Sequence, residues 1–246
     1  QDPNVLQVIS RLRPDVECLT FGLDESCTTY AKNLELAGGL YCFDVFERGC
    51  LLGRTRLSVP GKHNVMNALA VVAMARRLGV PGQTILEHLP EFTGVDRRLT
   101  LRGQAAGVTV LDDYAHHPTE IRASLSGIRE RYQPRRLWCV FQPHQYSRTR
   151  FLLEDFAASF RMADVTIVPE IYFVRDSQEN RTAINAQVLV DRLRGCGSQA
   201  EFIDGFGAIC DYLEAHVAAG DVVVTMGAGD VWKVADAYIQ RIGSNR

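Results

Sequence analysis

Gly107-Val108-Thr109-Val110-Leu111-Asp112-Asp113-Tyr114-Ala115-His116-His117-Pro118-Thr119-Glu120 decides the fold, because it changes character twice in fourteen residues. The first five residues are short, β-branched and largely apolar, which predicts a buried strand. Pro118 suits the first position of a helix, Glu120 suits its positive end, and Ile121, Leu125 and Ile128 then recur at helical spacing. Two carboxylates, a phenol and two imidazoles therefore sit on the loop between a strand and a helix. Asp and His are also ordinary loop residues that cap helices and bond backbone amides, so each alone is weak and the cluster is the signal. A metal site built on His116 and His117 is disfavoured: neighbours in extended chain point opposite ways, and Pro118 keeps His117 extended.

Outward from this run, strands and helices alternate. Strands are expected at 107–112, 137–141, 164–168, 200–203 and 221–226, and helices near 118–131, 149–161, 185–194, 206–216 and 230–241. That rhythm predicts an α/β fold with a doubly wound, mostly parallel sheet and helices on both faces, in which ligands bind at the carboxyl ends of the strands. The other strand exits are also polar: Gln142-Pro143-His144-Gln145-Tyr146-Ser147-Arg148, Pro169-Glu170-Ile171-Tyr172 and Met226-Gly227-Ala228-Gly229-Asp230. His144 and Arg148 suit an anion, and a cation in a first helical turn favours such a partner; Arg148 and Arg150 are equally ordinary solvated residues. Gly227-Ala228-Gly229 is expected to open a helix whose amides suit an anion, although it lacks the third glycine of a dinucleotide fingerprint and serves equally as a bare turn.

Upstream, short strand-like runs at 18–21, 28–36, 40–46 and 51–57 predict antiparallel hairpins with turns at Gly38-Gly39 and Arg48-Gly49. A helix follows over 64–78, closed by Gly79, then a shorter one over 82–89, and Gly94-Val95-Asp96-Arg97-Arg98 reads as a linker. Asn64 and Asn67, three apart at a helix start, suit a purine edge, while Asn64 equally suits the N-cap. Gly61-Lys62 does not complete a phosphate-binding loop, since Arg56 and His63 stand where that pattern needs Gly and Ser or Thr. The division expected is a partial mixed α/β domain over 1–94 and a Rossmann-like domain over 95–246.

The 246 residues carry a formal net charge of −2, which gives no electrostatic footprint for nucleic acid or an anionic membrane. No apolar run reaches membrane-spanning length, and the opening residues do not resemble a signal peptide. Because the chain opens Gln1-Asp2-Pro3, targeting stays open. Seven cysteines without a CxxC pair suggest reduced thiols in a cytoplasm, with Cys139 inside a buried strand.

Four runs in order, Gly61-Lys62-His63-Asn64 to Asn67-Ala68, Gly94 to Arg98, Asp112 to Glu120, and Phe141-Gln142-Pro143-His144 with Tyr146-Ser147-Arg148-Thr149, resemble the Mur ligases over nearly the whole chain. The resemblance implies ATP-driven amide formation in peptidoglycan synthesis. The lactyl carboxylate of UDP-N-acetylmuramate takes the γ-phosphoryl group, and the amine of L-alanine attacks the acyl phosphate. It also implies ATP and Mg²⁺ as cofactors, residues 1–94 as the later part of a central ATP-binding domain and the remainder as a closing domain. By the same likeness Asn64 and Asn67 are adenine contacts, Asp113 a ribose contact and Arg98 the arginine that reaches the γ-phosphate. Tyr114, His116, His144 and Arg148 line the amino-acid and acyl-phosphate side, with Arg98 and His116 as the catalytic pair. The main Mg²⁺ ligands and the phosphate-binding loop are expected upstream, so this chain alone is expected to be inactive. Gln145 stands where many relatives carry Arg, and Glu170 to Asp176 departs from the usual form, which touches the substrate side. A murein-peptide recycling ligase shares the Asp-Asp, His-His-Pro run, but the Gln-Pro-His and Ser-Arg-Thr spacing favours the L-alanine reaction. A non-catalytic nucleotide-binding module and a metal hydrolase using Asp112, His116 and His117 are the rivals from other classes.

Overall fold

The computed structural model describes residues 3–244, and the chain forms two compact units that part between Thr93 and Gly94. The first contains helix α1 (Pro3–Ile9), strands β1 (Phe21–Gly22), β2 (Thr29–Ala37), β3 (Leu40–Glu47) and β4 (Cys50–Arg56), helices α2 (Lys62–Arg77) and α3 (Gly82–His88), and a 3-10 turn over Leu89–Glu91. β2, β3 and β4 form an antiparallel meander. Its two turns fall at Gly38-Gly39 and Arg48-Gly49, all four with positive φ, as tight hairpins require. Phe43 and Val45 on the sheet bury against Val65, Leu69 and Val72 of α2, which recur along one helical face.

Two expectations for this unit change. The first strand shrinks to Phe21–Gly22 and pairs parallel, not antiparallel, with β2; the preceding Cys18 and Thr20 are exposed and have no apolar face to bury. Side-chain and backbone bonds between Thr20 and Thr28 bring the two segments together instead. The N-cap of α2 is Gly61, at φ 93, and not Asn64. Its other end closes as expected: Gly79 adopts φ 87, its amide reaches Arg76 O, and Val80 N reaches Ala75 O, the paired bonds of a Schellman stop.

In the second unit the strands are β5 (Thr100–Ala105), β6 (Val108–Asp113), β7 (Leu137–Phe141), β8 (Val165–Val168), β9 (Ala200–Phe202) and β10 (Val222–Met226). The helices are α4 (Pro118–Tyr132), α5 (Tyr146–Phe151), α6 (Leu153–Ala157), α7 (Gln178–Ala183), α8 (Ala186–Gly195), α9 (Phe206–His216) and α10 (Trp232–Ser244). The sheet runs β5-β6-β10-β7-β8-β9, parallel throughout except for β5. Alternate strand residues feed two cores. Leu111, Cys139 and Val224 pack with the residues of α4 and α8, while Val110, Val140 and Val223 pack with those of α9 and α10. This is the doubly wound layering that the alternation predicts.

The last strand, β10, inserts between β6 and β7, so Asp113, Met226 and Phe141 lie level in register. Three polar loops therefore leave the sheet side by side, at the strand ends where open α/β sheets bind ligands. Here too the structure corrects the sequence. The sequence gives no sign of β5, because Thr-Leu-Arg-Gly-Gln-Ala has no apolar run; it is a half-buried antiparallel edge whose Gly103 lets α10 approach, a Cβ there falling 2.7 Å from Ile239. The helix expected over 149–161 starts at Tyr146 and breaks at Leu152 into α5 and α6, and α7 was not foreseen. Gly94 to Arg98 begins at the boundary between the two units, as a linker should, and its end has a defined backbone: Arg97 and Leu99 both hold positive φ, and Arg98 N bonds Val95 O. Gly227-Ala228-Gly229 does not open a helix, because α10 begins only at Trp232. Among the described residues no helix is long and apolar enough to cross a membrane.

Candidate active site

The Asp112 to Glu120 loop is knit by its own groups. Pro118 occupies the first turn of α4, and His117 caps it in extended conformation, its ring accepting from Thr119 N while Glu120 accepts from the His117 amide. Glu120 Oε2 also takes the His116 amide at 3.1 Å, so the carboxylate at the positive helix end holds both imidazole residues by their backbones. Asp113 is buried. Its Oδ1 accepts from Ala115 N at 2.6 Å and its Oδ2 from Leu99 N and Ser124 Oγ at 3.0 and 3.1 Å. Burial pushes its pKa up to about 6 against the opposing pull of these bonds and of Arg98. Asp113 thus visibly organises the loop, tying the end of β6 to α4 and to the turn before β5.

Asp112, fully buried, accepts from Arg97 Nε at 2.9 Å and from Thr225 Oγ1 at 2.6 Å. Arg97 also donates to the carbonyls of Gly227 and Gly229. The sequence suggests Asp112 only as a ligand of a rival metal hydrolase and gives Arg97 no working role; a paired Arg and Asp fifteen positions apart leaves no local signature.

Beyond this frame the rings line up. Tyr114 meets His116 edge-on at 5.2 Å, His116 lies 6.4 Å from His144, and His144 stacks on Tyr172 at 5.5 Å. Tyr172 was quoted at a strand exit but given no role; it reaches His144 through a parallel bridge and the bonds Gln145 N to Tyr172 O and Tyr172 N to Pro143 O. His116 Nδ1 lies 2.9 Å from Tyr114 O. A carbonyl only accepts, so in the neutral ring Nδ1 carries the hydrogen and Nε2 keeps its lone pair.

His144 and Arg148 are different in kind. His144 Nδ1 and Arg148 Nη1 are buried and have no hydrogen-bond partner, a costly state for a polar atom. Burial, then the charges of Arg148 and His116, hold the His144 pKa below its usual value. Arg98 is half-exposed, 3.6 Å from Glu120 and 5.7 Å from the Tyr114 ring. Gln145, in the place of the frequent arginine, takes φ 72, and its carbonyl accepts from Thr149. In the other unit, Asn64 Nδ2 donates to Pro60 O at 2.8 Å and Asn67 Nδ2 to Asn64 Oδ1 at 3.1 Å, which places both amides together in the first turns of α2. The second unit brings Arg98, Asp113, Tyr114, His116, His144 and Arg148 to one rim. Among the described residues no group of three His, Cys, Asp or Glu side chains is placed to hold a metal ion.

Residues 97–229, which hold every strand exit described above, match the family model for the Mur ligase glutamate ligase domain. The chain belongs to the Mur ligase family. Mur ligases similar to it include UDP-N-acetylmuramate–L-alanine ligases of Alkaliphilus metalliredigens, 43% identical over 94% of this chain and 50% of that protein, and of Desulfitobacterium hafniense, 41% identical over 90% and 49%. The chain spans about half the length of the curated relatives it matches. Its fold is similar to the crystal structure of the Thermotoga maritima UDP-N-acetylmuramate–alanine ligase, with a TM-score of 0.76 at 29% identity over 93% of this chain and 48% of that one. A murein peptide ligase from Psychrobacter arcticus gives a TM-score of 0.62 at 25% identity over 92% and 46%.

Proposed function

We propose that the protein to which this chain belongs joins L-alanine to the lactyl carboxylate of UDP-N-acetylmuramate at the expense of ATP, in peptidoglycan synthesis. The observation that carries this reading is the pair of unpartnered buried nitrogens, His144 Nδ1 and Arg148 Nη1, on a rim shared with His116 and Tyr114. The identity to L-alanine ligases, and the higher likeness to the alanine ligase fold than to the murein peptide ligase, support the same substrate.

In this reading a carboxylate oxygen of the sugar substrate bonds the γ-phosphorus and ADP leaves. The amine nitrogen then bonds the carbonyl carbon, the C–O bond to phosphate breaks, and the amine gives up a proton. Arg98, exposed and only loosely engaged, reaches the γ-phosphate and neutralises the moving charge. Arg148 holds a carboxylate or acyl-phosphate oxygen by charge-assisted bonds. His144, kept neutral by its lowered pKa, adds a hydrogen bond there. His116 presents the Nε2 lone pair to the amine proton, and Tyr114 walls the same side. Asn64 and Asn67 take the adenine edge, and Asp113 the ribose; the last role rests on resemblance alone, since its oxygens serve the loop. Mg²⁺ is implied by the resemblance, yet the described residues offer it no ligand set. A cytoplasmic location follows from the cytoplasmic nucleotide and sugar substrates of this reading.

Phosphate release by the complete protein, with ATP, Mg²⁺ and UDP-N-acetylmuramate, tests the proposal. Release is expected to require L-alanine. Release only with the L-Ala-D-Glu-diaminopimelate tripeptide transfers the site to murein-peptide recycling, and none with either leaves a nucleotide-binding module.

A further inference from the structure

Arg97 makes contacts that neither a linker residue nor a surface arginine needs. Its backbone sits in the left-handed region at φ 58, which is uncommon for a residue other than glycine. All three guanidinium nitrogens are used: Nε on the fully buried Asp112, Nη2 on Gly227 O at 2.7 Å and Nη1 on Gly229 O at 3.3 Å. The guanidinium carbon of Arg97 lies over the Tyr114 ring, 5.1 Å from its centroid. Its own carbonyl accepts the Tyr114 amide at 2.6 Å. One residue thus bonds the end of β6, the turn after β10 and the start of the ring row.

The two glycines it holds leave no slack. Gly227 has φ 147, and a Cβ there falls 2.7 Å from Gln142 O. At Gly229 a Cβ strikes Gln142 Oε1 and comes within 2.9 Å of the Tyr172 ring. The turn clamped by Arg97 is therefore wedged against Gln142 and Tyr172, which belong to the His144 side of the rim.

We propose that Arg97 is a positioning residue, whose fork on Asp112, Gly227 and Gly229 and whose charge over the Tyr114 ring set the spacing between the Tyr114–His116 arm and the His144–Arg148 arm. Its consequence for catalysis rests on the ligase reading above; its effect on geometry does not. Lysine cannot replace it, since an ammonium offers no planar fork for three acceptors.

Hydrogen exchange on this chain tests the clamp directly. With Arg97→Lys, and with Arg97→Gln as the harsher change, amides of Tyr114, Ala115, His116 and Gly227 are expected to exchange about tenfold faster or more, while Val140, Ile128 and Val223 keep their protection to within about twofold. Unchanged exchange at all positions, or a uniform rise across core and rim alike, overturns the proposal. If neither variant folds, Tyr114→Leu removes the ring from the other side and is expected to loosen Ala115 and His116 while sparing Val140 and Val223; equal loosening overturns it. In the complete protein, Arg97→Lys is expected to raise KM for L-alanine about tenfold and KM for ATP no more than about twofold. Equal rises assign Arg97 to general stability. If the unaltered protein releases no phosphate, the ligase reading fails while the exchange data still judge the clamp.

Discussion

The loops that leave β6 and β7 lie next to each other but are built in opposite ways. After β6, every carboxylate is claimed by the chain itself: Asp112 by Arg97 and Thr225, Asp113 by three donors, Glu120 by two amides. After β7, His144 Nδ1 and Arg148 Nη1 are buried without partners. The first loop is a satisfied scaffold and the second carries unmet polar demand. Chemistry-rich sequence alone does not tell the two apart, since both read as clusters of ionisable residues at a strand exit. What separates them is where the hydrogen bonds go: the carboxylates of the first loop are spent within the chain, while two buried nitrogens of the second are left without partners.

That contrast breaks first at Asp112. Asp112→Ala leaves the Arg97 charge facing only carbonyls, and the expected loss of folding stability is about 3 kcal/mol in urea titration; a change below about 1 kcal/mol shows that the first loop is not the scaffold described. A smaller effect is expected from pH. Burial raises the Asp113 pKa from 3.8 to about 6. Between those values the folded chain keeps a proton that the unfolded chain has lost, so this group's contribution is full below about pH 4 and is lost as pH rises through about 6. Carboxyl NMR should place the midpoint near 6, and stability should decline by about 2 kcal/mol across that window, less in Asp113→Asn. A flat profile removes the burial account of Asp113.

The smallest effect sharpens the second loop. Arg148→Gln is expected to raise the His144 pKa, and His116→Gln to raise it less, because the arginine is the larger of the two charges depressing it. Imidazole NMR titration reads both, and an unmoved His144 in the two variants shows that these three groups do not share one site.

Much of this was legible in advance. The β6 strand, the Pro118 start and the helical period of Ile121, Leu125 and Ile128 were plain because each rests on local preference. The same holds for the meander turns and the Gly79 stop. β5 was illegible because an edge strand needs no apolar pattern, only a neighbour to pair with. The break of the expected long helix at Leu152, and the start of α10 only at Trp232, leave no mark in the helical period of the sequence. Tyr172 entered the ring row through a bridge to His144 across 28 positions, a contact with no footprint in the intervening sequence.

The sequence by itself determined the family, the alternation of strands and helices, and which residue types stand at each strand exit, because periodicity, caps and motif spacing act over a few residues. Only the tertiary structure decided which of those side chains find partners within the chain and which do not. That division follows from the insertion of β10 between β6 and β7, which brings Gly227 and Gly229 to Arg97 from 130 residues or more away. A hydrogen bond is satisfied or orphaned by what lies within about 3 Å in space, and nothing in a linear pattern measures that distance.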